Sequence, residues 1–364
     1  MTTPRKLTFI PALDGVRAIA IAMVLLHHTF RQFEGGRAGV DVFFVLSGFL
    51  ITSLIVNEFD ARRAISLKGF YRRRAYRLFP AAAFLLLGVL AYATITEVAH
   101  GNGLPGAVVE SVVFAVLYIT NWGWAFGAHL AAPLVHLWSL AAEEQFYLLA
   151  PLALAVALPR FSRQAIIRGL LAVGLVGVAW RALLFAHDAT RPRLRFGLDT
   201  HADGLIVGSM LGVAFASGLA PRLFNQAKAK EWTGLAAIVG LGALSLSWYA
   251  KWSGLEAWGP TMWAVLSAVV LCCVVGQTTG LHLQLLNLPP VRRLGKVSYA
   301  LYLWHLPVLY YGVRALGADR SLWVTVPICW VVSYALAEIS FRFVETTAHR
   351  IRDQRAQRYQ SVGA

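Results

Sequence analysis

Eleven apolar runs, each close to the length of a bilayer crossing, dominate this chain. They occupy residues 16–31, 40–57, 78–96, 106–124, 138–158, 166–186, 203–219, 232–249, 260–277, 297–313 and 322–344. A crossing helix needs about 20 mostly apolar residues. Composition agrees with a lipid solvent. Hydrophobic residues make up 58% of the 364 and charged residues 14%, against roughly 45–50% and roughly 25% in soluble chains. So few charges cannot clothe a water-soluble surface. The expected fold is all-α, a polytopic membrane helix bundle of about ten transmembrane helices plus one re-entrant or interfacial segment.

The count of ten comes from charge. Lys and Arg number 33 against 18 Asp and Glu, a net +15. In a membrane chain that excess marks cytoplasmic loops rather than nucleic-acid binding. Arg62, Arg63, Lys68, Arg72, Arg73, Arg74 and Arg77 crowd loop 58–77. The later clusters are Arg160, Arg163 and Arg168; Lys228 and Lys230; Arg292, Arg293 and Lys296; and Arg350, Arg352, Arg355 and Arg358. Two runs separate each later cluster from the next, so all four can lie inside. Three runs separate loop 58–77 from Arg160, and an odd number cannot return the chain to the same side. The weakest, 106–124, carries Glu110 and ends in Asn121-Trp122-Gly123-Trp124, so it is expected not to cross. Both termini, with Arg5 and Lys6, are then cytoplasmic. Loop 187–202 is external although it holds Arg191, Arg193 and Arg195. Those arginines either meet an anionic acceptor or lipid head group, or the charge rule tolerates them.

Residues 1–345 are expected to form one membrane-embedded domain and 346–364 a short polar cytoplasmic tail. No cleavable signal peptide is evident. Gly204, Gly208 and Gly212 form a small-residue stripe suited to close helix packing. Cys272, Cys273 and Cys329 lie in apolar runs and read as buried small hydrophobes.

Ionisable residues in a bilayer are costly and default to a functional hypothesis. Asp14 and Arg17, three apart, share one face of the first helix. His27 and His28 lie near its far end, and Asp41 enters the second helix at what reads as the depth of His28. A carboxylate there would orient the imidazole for general-base catalysis. Arg74 and Arg77 present two guanidiniums on one face, either a positive-inside stop or a phosphate clamp. Glu143 and Glu144 open the run after His136-Leu137-Trp138-Ser139. Adjacent carboxylates point about 100° apart on a helix, so one is expected to be catalytic or orienting while the other pairs with an arginine. His305, before Pro307, is either a core or a cavity-lining histidine. Asp199 and Thr200 either cap the next helix or, through Asp199, contact substrate. No Walker loop, Gly-x-Ser-x-Gly elbow or Cys/His metal spacing is present.

Five segments together resemble acyltransferase family 3, the integral-membrane O-acyltransferases of bacteria. They are Pro11-Ala12-Leu13-Asp14-Gly15-Val16-Arg17 with His28 eleven residues after Arg17, Gly39-Val40-Asp41-Val42-Phe43-Phe44-Val45-Leu46-Ser47-Gly48-Phe49, and Phe70-Tyr71-Arg72-Arg73-Arg74 through Arg77-Leu78-Phe79-Pro80. Trp138-Ser139-Leu140 through Glu143-Glu144-Gln145-Phe146-Tyr147 and Gly295-Lys296-Val297-Ser298-Tyr299 through His305 complete the set. The resemblance implies transfer of an acyl group, usually acetyl, from cytoplasmic acyl-CoA to a hydroxyl on a sugar, by an enzyme of the cell membrane. It carries the family's essential histidine onto His28, its first-helix arginine onto Arg17, its arginine pair onto Arg74 and Arg77, and its Glu-Glu pair onto Glu143 and Glu144.

In the mechanism this suggests, Arg74 and Arg77 dock the acyl-CoA phosphates and Arg17 steadies the cofactor or a buried carboxylate. His28, oriented by Asp41 or a nearby Glu, takes the acceptor proton. Tyr147, His305 and Asp199 are candidate acceptor contacts. Neither a metal nor a permanently bound cofactor is expected, and the partners are acyl-CoA, a sugar hydroxyl and the lipid bilayer. His201 stands where relatives often carry arginine, a departure that argues against an anion-binding role there. No fused esterase-like domain is expected, in which case two-stage transfer would need a separate extracytoplasmic enzyme. The acceptor is expected in a surface polysaccharide or glycoconjugate. A small glycosylated metabolite such as a macrolide is the alternative, and a transporter is the rival class.

Overall fold

The first helix, α1 (Ala12–Thr29), opens as its spacing predicts, with Arg17 Nη1 3.4 Å from Asp14 Oδ1. The computed structural model describes residues 9–30, 33–100, 105–219, 227–246, 254–275, 277, 279–317 and 321–362. Arg5 and Lys6 lie outside them, as do the side chains of Lys228, Lys230, Arg355 and Arg358. Every regular element among the described residues is helical. After α1 come α2 (Ala38–Arg62), α3 (Leu67–Ala99), α4 (Gly106–Val116), α5 (Thr120–Ala125), α6 (Leu137–Ala157), α7 (Arg163–Ala186), α8 (Arg191–Phe196) and α9 (Asp203–Ala216). Then follow α10 (Ala227–Leu246), α11 (Leu255–Val275), α12 (Leu281–Leu286), α13 (Pro289–Lys296), α14 (Ser298–Leu316), α15 (Leu322–Ile339) and, after a π-helical turn at Ser340–Glu345, α16 (Thr346–Val362). The chain is an all-α polytopic membrane bundle.

Seven helical stretches among the described residues are long and apolar enough to cross a bilayer, fewer than the ten expected. At 14 residues α9 rises about 21 Å, short of the ~30 Å hydrocarbon core, and α14 is made less apolar by His305, Arg314 and its tyrosines. The run 106–124 breaks into α4 and α5. The 11 residues of α4 rise about 16 Å, about half a crossing. Tyr118, after α4, has φ +54°, and Gln145 Nε2 donates to its carbonyl at 2.7 Å. Along α7, Val173, Leu175, Val176 and Leu183 are exposed, which suits a helix whose solvent is lipid. The three cysteines are unbridged.

The chain divides into two compact units. One comprises residues 1–65, 118–128 and 138–296, and the other 66–117, 129–137 and 297–364. The core of the first gathers Ala20, Met23, Val42, Val45, Phe49, Phe215 and Leu271. Its most extensive helix packing joins α2 to α9 along the predicted glycine stripe. A Cβ on Gly204 would sit 2.7 Å from the Phe44 Cβ, and one on Gly212 2.8 Å from the Phe49 carbonyl oxygen. Glycine is therefore what lets the two backbones meet.

Candidate functional site

The α1–α2 hairpin sets the position of the predicted site, and its register differs from the expected one. A 3₁₀ turn at Glu34–Arg37 descends beside the last turns of α1. Gly36 packs on Met23 and His27, and Gly39 packs on Ala20 and Val24. Asp41, two residues further on, thus lies level with the Ala20 region, about eight residues or ~12 Å along the axis from His28. The expected His28–Asp41 pair does not form. Counting residues around an open turn overestimated the width of a connection that two glycines allow to close tightly.

Asp41 instead pairs with His201, 160 positions away. It is fully buried and its Oδ1 lies 3.1 Å from His201 Nε2. His201 Nδ1 donates to the Arg195 carbonyl at 2.7 Å. With Asp41 as the carboxylate, it and the Arg195 carbonyl both accept, and both ring nitrogens of His201 are donors. Burial pulls its pKa down, but the Asp41 charge and hydrogen bond outweigh that and leave it above the ordinary value. Phe44 and Trp138 enclose the ring, with centroids 6.0 and 5.2 Å away, within cation–π range. His201, set aside as a departure from the family pattern, is therefore an internal counter-charge.

Arg195 ties this pair to α1. Its Nη2 lies 3.3 Å from His27 Nε2, and His27 Nδ1 lies 3.1 Å from the Phe33 carbonyl. Arginine can only donate, which assigns Nε2 as the acceptor and Nδ1 as the protonated nitrogen. Burial, with Arg37 nearby, lowers Arg195 to about 10, so it stays charged at neutral pH. Arg37 bonds Glu256 Oε1 at 2.9 Å and Glu34 Oε2 at 3.4 Å. The remaining basic residue of interest, Arg193, bridges Asp199, while Trp180 Nε1 donates to Asp199 Oδ2 at 2.8 Å. Burial would raise the Asp199 carboxyl, and these two donors hold it below its usual range instead. Two of the three arginines of segment 187–202, Arg193 and Arg195, thus bond groups of the protein itself. Asp199 is engaged by protein donors, and neither it nor Thr200 caps α9, whose N-cap is Ala202.

Arg181 was not singled out among the sequence candidates, yet it is fully buried with every donor used. Its Nε donates to the Ala257 carbonyl at 2.7 Å, Nη1 to the Thr200 carbonyl and Asp203 Oδ2, and Nη2 to Asp203 Oδ1 and Thr261 Oγ1. Thr261 in turn donates to Asp203 at 2.6 Å. An arginine inside the apolar run 166–186 was the available signal.

The Glu-Glu segment joins the same unit. Ser47 Oγ donates to Glu143 Oε1 at 2.8 Å. Glu144 is half-buried and Tyr147 buried. Gln145 holds Asn121 and Trp122 as well as Tyr118.

The second unit holds the other candidates. Arg74 and Arg77 lie one turn apart on α3, with Glu345 at the end of the π-helical turn in electrostatic reach of Arg77. His305 is buried and its Nδ1 donates to the Tyr302 carbonyl at 2.6 Å. Its ring stacks edge-on with His136 at 5.2 Å. His136 Nε2 donates to the Leu303 carbonyl at 3.0 Å, leaving Nδ1 buried without a hydrogen bond. The sequence reading passed over His136, although it heads the Glu-Glu segment. No grouping of three metal ligands occurs among the described residues.

Residues 10–339 match the model of a family described as an acyltransferase domain. The O-acetyltransferase OatA of Staphylococcus aureus (strain NCTC 8325) is 32% identical over 95% of this chain and 58% of its own length. The peptidoglycan O-acetyltransferase OatA of Listeria monocytogenes is 28% identical over 95% of this chain and 56% of its own. The chain therefore spans a little over half the length of these relatives. No solved structure matches it.

Proposed function

This chain belongs to that acyltransferase family, and from this premise we propose that it is a membrane O-acyltransferase moving an acetyl group from acyl-CoA to a sugar hydroxyl of a cell-envelope polysaccharide. The observation that carries the reading is the convergence of distant motif segments in one unit. Asp41 of α2 meets His201, Phe44 lies against Trp138, and Ser47 meets Glu143.

His28 is the general base. His27 and His201 each have both nitrogens bonded to protein groups. The acceptor oxygen attacks the thioester carbonyl as His28 takes its proton. The tetrahedral intermediate then collapses and expels the CoA thiolate, which accepts a proton. Asp41 and His201 act as positioning residues that fix α2 against the 195–203 segment. Arg74 and Arg77 hold the donor phosphates, and Arg17, paired with Asp14 at the start of α1, steadies the cofactor or a buried carboxylate. Glu143, Glu144, Tyr147 and His305 remain candidates for orienting the reactants. Both termini are cytoplasmic in this arrangement.

Purified protein in lipid nanodiscs, given acetyl-labelled acetyl-CoA and solubilised wall glycan, should release free CoA and place alkali-labile label on the glycan. Absence of both products would overturn the proposal. Movement of unmodified glycan across proteoliposomes without covalent label would point to transport instead.

A further inference from the structure

The second unit contains a cavity of about 900 Å³ that the reading above does not use. It lies between the last turns of α3, the start of α4, residues 131–133 and the end of α14. Ser111 Oγ accepts from the Ala131 backbone N–H at 2.6 Å, which pins the 131–133 wall to α4. Tyr92 and Tyr311 touch one another in the cavity wall, ring centroids 4.7 Å apart and tilted by 55°, and Tyr310 stands perpendicular to Tyr311 at 5.2 Å. The Arg314 guanidinium lies 3.6 Å from the Tyr310 ring centroid, and Thr96, Glu97 and His100 add to the polar lining.

The lining selects among ligand classes. A fatty chain would have to desolvate Glu97, His100 and Arg314, which is unfavourable. A polyphosphate would face the single arginine with a carboxylate opposed to it, whereas phosphate sites gather several donors. Pyranose rings satisfy both halves of the surface. Their C–H faces stack on tyrosine rings, whose faces carry negative charge density. Their hydroxyl edges bond to carboxylate, guanidinium and imidazole. The volume falls within the ~300–1,000 Å³ range of ligand sites. The cavity also lies at the far end of α3 from Arg74 and Arg77, since Arg77 to Tyr92 spans about 22 Å, and the charge pattern makes that end extracytoplasmic.

We propose that this cavity is a docking subsite for the polysaccharide acceptor, holding sugar rings on Tyr92, Tyr310 and Tyr311 while Glu97 and Arg314 bond their hydroxyls. The assignment of the sugar as acceptor rests on the acyltransferase reading, but binding itself does not. Calorimetry with purified protein and soluble wall-glycan oligosaccharides tests it directly. Wild type should bind. Tyr311→Ala should weaken binding about tenfold, whereas Tyr311→Phe, which keeps the stacking face, should stay within about twofold. Arg314→Gln, at an exposed position, guards against misfolding and should also weaken binding severalfold. In transfer assays the same variants should raise the glycan KM far more than they lower kcat.

Lack of glycan binding by wild type, or equal binding by Tyr311→Ala and Arg314→Gln, overturns the subsite. If wild type transfers acetyl while these variants keep its affinity and KM, the subsite fails and the acyltransferase reading stands. If glycan binding is lost in the variants but wild type transfers nothing, the subsite stands and the acyltransferase reading fails.

Discussion

Two adjacent histidines should separate activity from stability. His27 links three parts of the first unit, accepting from Arg195 and donating to the Phe33 carbonyl. His27→Ala removes a bond to a charged donor, ~1.5–3 kcal/mol, and a neutral one, ~0.5–1.5 kcal/mol. The 3.3 Å Arg195 contact argues for the lower end, so the expected loss is about 2–3 kcal/mol of unfolding free energy. His27→Gln, which can still accept from Arg195, should recover part of it. His28→Ala should instead cost 10²–10⁴ in kcat, about 3–5 kcal/mol of barrier, with little change in unfolding. Detergent-resistant thermal unfolding and acetyl transfer, both at equal membrane abundance, read the two effects separately. If His28→Ala lost only a few-fold activity, or if His27→Ala were inactive at unchanged stability, the division of roles would be wrong.

Arg181→Met should destabilise the protein by ~3–5 kcal/mol, because Asp203 is left charged in a buried site. The double variant Arg181→Met with Asp203→Leu should cost much less than the sum of its parts, and additive unfolding energies would refute the coupling. His201 supplies a pH dependence with a definite sign. Its folded pKa lies above the ordinary 6.5, so its stabilisation is complete below about pH 6.5 and is lost as pH rises through the higher folded value. Unfolding stability measured from pH 6 upward should therefore fall in wild type and flatten in His201→Gln.

Much was legible in local pattern. Solvent class followed from the length and number of apolar runs, because no other solvent accommodates them. The Asp14–Arg17 pair followed from i,i+3 geometry, the α2–α9 contact was foreshadowed by Gly204, Gly208 and Gly212, and the break in 106–124 by its polar-aromatic end. These are properties of single helices, and a helix's own periodicity encodes them. What lay beyond reach was register and partnership between helices. Asp41 looked level with His28 until Gly36 and Gly39 drew the turn down against α1. His201 looked like a lapse from pattern until the fold placed it on a carboxylate 160 residues away. Arg193 and Arg195 read either as partners for an outside anion or as tolerated loop charges, and the fold has them bond Asp199 and His27. Arg181 carried a signal in its mere presence in an apolar run, but not the identity of Asp203 and Thr261 as its partners. A buried charge must be compensated, and composition announces that need. Only the packing of helices decides which opposite charge arrives, because that depends on crossing points and rotations that no single segment contains.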